Sequence, residues 1–383
     1  MNAALFFLAA GIFTSVTILS AHQILFVIPV LYYSYLAFKN KSYQLPKSAW
    51  AILAFTVVAL IASLTNHSIL EAPGKSYGRL KYYAIAAFSI FALRVYVKDV
   101  SDKTIKILTH TFLLSMVVAS AYCLYQRFFL GHDRAAALTE TMRYGYGTGM
   151  ILSLLLGLIL RPKVLPQINR PFLYAAFAFG FLGIWATLTR GAFLGFICAI
   201  PFSIFFWNKR AGIVGAIAAF SLVAVLGGVY LLGNGDYGSR FLSNKNNASD
   251  TIRRSQWQAA YIAWKERPVL GWGLSNFSSQ LPRIKNDYNL DHKEYNDAHS
   301  HNIFLEVASG TGIIGLFFFI AWLALWAFEV WRVGGVLRGL VIPFGVALVV
   351  SGQFEVILDA NNSSMIFFIY ALSTVLKENQ TTA

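Results

Sequence analysis

Charge is what this chain has least of. Only 13% of its 383 residues are Asp, Glu, Lys or Arg, against about 25% in a soluble domain. Cysteine is almost absent too: Cys123 and Cys198, both inside apolar runs, read as small buried hydrophobes. Two such residues exclude a disulfide framework and a thiolate metal set. No glycine-rich phosphate loop ending in Lys and Ser or Thr is present, which removes support for ATP-driven transport. The N-terminus lacks a basic leader and a clear cleavage site, so Met1 onward is expected to remain as the first span. No repeat of 20–50 residues and no low-complexity tract is visible, and with no inverted repeat the secondary-transporter class has little support.

Apolar residues take the place of charge. They make up 57% of the chain, aromatics 16%, and the mean hydropathy is +0.58. A polytopic, all-α membrane protein is the expectation. The net charge of +14 does not point to nucleic acid. Its basic residues lie mainly at the ends of apolar runs, where they set orientation and meet anionic membrane lipid.

A span needs about 20 apolar residues. Twelve are expected, near 3–20, 23–38, 49–65, 82–97, 105–126, 145–161, 172–188, 191–207, 211–233, 302–327, 336–352 and 361–376. Even-numbered connections carry Lys39, Lys41 and Lys47, Lys98, Lys103 and Lys106, Arg161, Lys163 and Arg170, Lys209 and Arg210, and Arg332 and Arg338. The positive-inside rule then puts those connections and both termini in the cytoplasm. Arg127, Arg134 and Arg143 on an outward connection run against the bias, as an orientation-neutral exception or as an anion site.

Three parts follow: transmembrane helices in 1–233, a loop domain in 234–300, and further transmembrane helices in 301–383. The loop is the region of soluble character, with sixteen charged residues of both signs. Trp257, Ala260, Tyr261 and Trp264 recur at helical spacing, predicting an amphipathic helix over 251–267 that lies on the bundle. Asp250 is the expected N-cap and Pro268 the stop, with a turn at Gly271-Trp272-Gly273. The loop aromatics have two readings, an interfacial belt or a sugar-stacking surface, and composition favours the belt.

The seam between this loop and the next apolar run reads Asp297-Ala298-His299-Ser300-His301-Asn302. Histidine exchanges a proton near neutral pH, and a neighbouring carboxylate can fix its tautomer. A lone histidine at a helix start is more often merely solvated at the headgroups; two with a carboxylate and an amide favour function. Because His299 and His301 are two apart, they do not share a helical face as metalloprotease ligands do, and no metal is expected. Arg190, after Thr187-Leu188-Thr189 and before Gly191, is the second signal. An arginine between two apolar runs needs an anion, water or the interface, although a snorkelling arginine is the plainer reading. Arg253 and Arg254 suit bidentate contact with phosphate oxygens near a helix start, and a solvated charge pair is their commoner fate. Gly147-Thr148-Gly149 reads as close helix packing. Asp359-Ala360-Asn361-Asn362 reads as a helix cap able to meet a polar substrate.

In order along the chain, these pieces resemble the O-antigen ligase superfamily of bacterial polysaccharide assembly. His301-Asn302, nine residues, then Gly312-Ile313-Ile314-Gly315 is similar to that family's His motif. Thr189-Arg190-Gly191 resembles its Ser/Thr-Arg-Gly junction, and Arg253, Trp257, Pro268, Gly271 and Gly273 resemble its periplasmic segment. The resemblance implies glycan transfer from undecaprenyl diphosphate to lipid A–core oligosaccharide at the periplasmic face of the inner membrane. No cofactor is implied, since the donor carries its own leaving group. His301 is then the implied general base, and Arg190 and Arg253, with Arg254 available, the implied diphosphate ligands. His299, Asp297 and Asn302 would support them. A single displacement inverts the anomeric carbon without a carboxylate nucleophile. An O-antigen polymerase or protein O-oligosaccharyltransferase shares much of this pattern. A transporter or flippase using the same residues as a substrate site is the rival from another class.

Overall fold

The computed structural model describes residues 1–215, 244–290, 299–358 and 360–381, and among them every regular element is helical. The first eight helices are α1 (Asn2–Gly11), α2 (Val16–Lys39), α3 (Lys47–Thr65), α4 (Pro73–Asp99), α5 (Asp102–Phe128), α6 (Thr141–Leu160), α7 (Arg170–Thr187) and α8 (Arg190–Phe205). Two loop helices follow, α9 (Asn244–Glu266) and α10 (Phe277–Asp287), and then α11 (Ile303–Val333), α12 (Gly335–Ser351) and α13 (Ala360–Thr381). In hydrocarbon every backbone N–H and C=O must find a partner inside its own segment, which is why apolar runs of this length become helices. Among the described residues, α2, α3, α4, α5, α6 and α11 are long and apolar enough to cross a membrane. Helices α1, α8 and α12 are shorter apolar helices. The chain is a multi-pass, all-helical membrane protein.

The first expected span divides differently. Helix α1 stops at Gly11, and Ser15 caps α2 by accepting from Ile18 N at 3.4 Å. Thr14 donates back to Ala10 O. Such hydroxyls offer the backbone partners that compete with helical continuation. The expected span over 211–233 lies mostly outside the described residues.

In the core, α11 packs along α3, α12 along α8 and α6, and α13 along α4. Phe55, Phe319, Trp322, Phe344 and Tyr370 are buried at their centre.

The loop domain forms a small second core. Ala259, Ala260 and Ala263 of α9 pack against Phe277, Leu281 and Ile284 of α10. Tyr261, expected on the packed face, is 44% exposed. Asp250 is not the N-cap, because α9 already begins at Asn244; an interior Asp costs at most about 0.7 kcal/mol in propensity, too little to stop a helix. The helix does end before Pro268. Helix α10 has no counterpart in the sequence expectation, and Pro282 falls inside it.

Helix α11 is broken at Gly312, whose backbone adopts φ 66°, ψ −167°. The break frees carbonyls, and the loop takes them: Trp272 N donates to Ser309 O and Gly273 N to Gly310 O, each at 2.9 Å. Ile313 N returns a bond to Pro268 O at 2.7 Å. A Cβ on Gly312 would run into Val269 O and Val269 C. Only glycine combines that φ with so close a crossing. Further ties fix the loop to α3: Asn66 Nδ2 donates to Gly271 O (3.2 Å) and Leu274 N to Ser63 Oγ (3.1 Å).

Candidate active site

Residues 299–302 reach α11 through a series of local bonds. Asn302 caps the helix, its Oδ1 accepting from Phe304 N (2.9 Å) and Leu305 N (3.1 Å). Its amide nitrogen donates to Gln353 O at 3.3 Å. Ile303 N donates to Gly352 O at 2.7 Å, so the turn after α12 is drawn against the residues before α11. Ser300 N donates to Glu306 Oε2 at 2.9 Å, and Ser300 Oγ to Asn302 O at 2.8 Å. From α9, the indole of Trp257 donates to His301 O at 3.3 Å. His301 itself sits at φ 50°, in the left-handed region. That conformation costs about 1–3 kcal/mol and survives where its surroundings over-determine it.

The result is one carboxylate shared by two imidazoles. His299 Nε2 lies 2.6 Å from Glu355 Oε1, and His301 Nδ1 lies 3.0 Å from Glu355 Oε2. Glu355 and His301 are only 5% and 7% exposed, whereas the His299 side chain is 36% exposed. Burial by itself would raise the Glu355 pKa. The hydrogen bonds from His299 and His301 and their charge outweigh it and hold the carboxyl well below its ordinary range. Glu355 is therefore ionised at neutral pH, the state in which it accepts from both rings.

The structure brings His299, His301 and Asn302 together with Glu355; Asp297 lies outside the described residues. The two-residue spacing does not keep the histidines apart, because the backbone here is not helical. Their donor atoms and those of Glu355 lie within 4.8 Å of one another, so spacing alone is no bar to a shared cation. The pairing that these distances describe is a direct hydrogen bond at each ring.

A basic cluster adjoins this pair. Leu188, at φ 52°, turns the chain between α7 and α8, so that Arg190 is the first residue of α8 and exposed. Arg134 in the preceding loop hydrogen-bonds through Nε to Thr187 O at 3.5 Å, at the same junction. Arg253, half-buried on α9, joins Arg134 and Arg190 within electrostatic reach of Tyr146, and Tyr146 and Arg134 are in turn within reach of Glu355. Its neighbour Arg254 is exposed. Gly191 allows a close approach, and the group that comes close is Tyr146: a Cβ there would meet its hydroxyl. Arg127 is spent on its own loop, donating to His132 O and Asp133 O, and Arg143 pairs with Glu140 at 3.0 Å. Asn362 is buried against α6, with its amide 3.5 Å from Arg143 O; Asp359 is outside the described residues.

Guanidinium groups around a phenol, beside an imidazole–carboxylate pair, suit an anionic leaving group and a proton acceptor in one site. The O-antigen ligase family model matches residues 175–320. The match supports membership of the O-antigen ligase superfamily. The matched stretch runs from α7 into α11, and it carries Arg190, Arg253, Arg254, His299 and His301. No curated protein matches the chain.

Glu355, Tyr146 and Arg134 lie outside that stretch; sequence reasoning did not single out Glu355 or Tyr146, and it read Arg134 only as one of three arginines that form either an orientation-neutral exception or an anion site. A signal for Glu355 was present: it is an acid in a short connection between two apolar runs, where a carboxylate needs a reason. Asp359, four residues on, drew attention instead.

Proposed function

We propose that this protein is a glycosyltransferase that moves a glycan from undecaprenyl diphosphate to a sugar hydroxyl of lipid A–core oligosaccharide. The reaction belongs at the periplasmic face of the bacterial inner membrane, with 234–300 outward and both termini cytoplasmic. The observation that carries the reading is the His301–Glu355 pair set beside Arg134, Arg190 and Arg253. Glu355 engages Nδ1 of His301, which leaves Nε2 to take the proton from the acceptor hydroxyl. That oxygen attacks the anomeric carbon while its bond to the diphosphate oxygen breaks. The electron pair departs with the diphosphate, and the guanidiniums stabilise the charge that develops. One displacement inverts the carbon, and neither a covalent sugar–enzyme species nor a metal is required by this route. Arg190 and Arg253 bear on the diphosphate most directly, with Arg254 as a neighbour able to assist. His299 holds the second oxygen of Glu355, and Asn302 fixes the helix that follows His301.

Reconstitution of the purified protein with lipid-linked donor and lipid A–core acceptor, with and without a chelator, tests the proposal. Transfer of glycan onto the core, unchanged by chelation, is the expected result. Elongation of the lipid-linked glycan with no transfer to the core would replace it by a polymerase. Loss of transfer on chelation, restored by a divalent cation, would assign His299, His301 and Glu355 to a metal.

A further inference from the structure

Away from the histidine site, α2, α4 and α13 enclose a cleft of about 310 Å³. That is the lower end of the range for small-molecule sites, about 300–1,000 Å³. One of its lining residues, Ile24, is 69% exposed, so the cleft opens on the flank of the bundle that faces lipid.

Its wall changes character along its length. At one end Gln23 joins the helices: its amide nitrogen donates to Ser364 Oγ and its oxygen accepts from the Tyr82 hydroxyl, both at 3.4 Å. The exposed Lys81 ammonium lies 5.0 Å from the centre of the Tyr82 ring. Towards Ser89, eight residues and roughly 12 Å further along α4, the lining turns apolar, with Val27, Ile85, Phe367 and Phe368. The polar end is at the same end of the bundle as His301. Helix α4 starts just after the Asn66–Leu70 turn that holds the loop domain, and α13 just after the turn bearing Glu355.

A lysine on a lipid-facing flank attracts anionic headgroups. Among the described residues no carboxylate pairs with Lys81. A polar end with one cation and an apolar end lined by Val27, Ile85, Phe367 and Phe368 match an amphiphile with its headgroup at Lys81. One cation suits a single phosphate, in contrast to the cluster of arginines beside His301. The lateral opening lets one chain enter while a second stays in the bilayer. We propose that this cleft binds one anionic diacyl phospholipid of the surrounding membrane, with its phosphate at Lys81 and Gln23 and one acyl chain along Ile85 and Phe367. The proposal stands apart from the donor and acceptor assigned to the histidine site.

Native mass spectrometry of the full chain titrated with phosphatidylglycerol tests it. The protein should retain one tightly held lipid. Lys81→Ala should weaken retention roughly fivefold, the factor set by about 1 kcal/mol per basic residue at a lipid surface. Val27→Trp, which fills the apolar end from a half-buried position, should abolish it while thermal unfolding stays near that of the parent. Equal retention by the parent and both folded variants would overturn the site. Displacement of phosphatidylglycerol by equimolar undecaprenyl phosphate would overturn the assignment to a bilayer phospholipid; no displacement would support it.

Discussion

His301 Nδ1 stands 3.0 Å from Glu355 Oε2, across a separation of 54 residues in the chain. Asn302 and Ile303 bond to Gln353 and Gly352, so the same few residues that start α11 also fetch the carboxylate. Orientation and tautomer of the imidazole are thereby tied to one buried acid. In such pairs the carboxylate holds one ring nitrogen and leaves the other for proton transfer.

Glu355→Gln tests that tie, because it preserves shape and removes charge. Transfer should fall by up to about 10⁴-fold, the loss known for the equivalent carboxylate-to-amide change in a serine–histidine–aspartate triad. Glu355→Asp should recover part of it. A Gln variant with parental rate would reduce Glu355 to a packing role. His299→Ala should be milder than a change at His301, since His301 still engages the second oxygen.

The same acid gives a pH signature. Its native pKa is depressed, so ionised Glu355 stabilises the fold fully above the ordinary carboxyl value of 4.5. That contribution is lost as pH falls below this value. Thermal unfolding in detergent should show the parent losing more stability than Glu355→Gln between about pH 5 and about pH 3. Parallel curves would contradict an ionised native Glu355.

Gly312→Ala probes the break in α11. Positive φ with ψ about 180° is a region that glycine alone enters freely, costing an L-residue on the order of 1–3 kcal/mol, and the crossing of Val269 adds to it. A lower melting temperature and faster proteolysis within the loop domain are the expected outcomes. An unaltered melting temperature would mean that the loop does not depend on this crossing.

Much of this architecture was legible in the sequence, and the reasons differ by element. Long apolar runs such as 49–65 and 105–126 correspond to α3 and α5, because hydrocarbon leaves no alternative to helix. The seam at His301 was legible since it joins a polar segment to an apolar one. Glycine at 312 was visible as part of a motif, but its purpose depends on a crossing with Val269 that only folding creates. Glu355 was missed for the same kind of reason: nothing in local spacing says that a turn 54 residues onward returns to His301. At Asp250, a local capping preference lost to continuation of the helix.

The arginines separate charge from geometry. If Arg190 and Arg253 grip a diphosphate, Ala at either should weaken donor use severely, and Lys should rescue only in part. Lysine keeps the charge but loses the planar fork that meets two oxygens at once. Because Arg254 adjoins Arg253, the double change Arg253→Ala with Arg254→Ala is the fairer test of the loop and should be inactive. Arg134→Ala should raise the donor concentration needed for half-maximal rate. Transfer rate against donor concentration reads all of these, and full activity of both Lys variants at limiting donor would favour merely solvated arginines.

His301 is the proposed proton acceptor in glycan transfer, and every other role at the site depends on it. The deciding measurement is the single-turnover transfer rate of purified His301→Ala with saturating lipid-linked donor and acceptor, alongside donor binding by the same sample. A loss of about 10²–10⁴-fold in rate, with donor binding retained, is the predicted result. Near-parental turnover by the folded, donor-binding variant would contradict it.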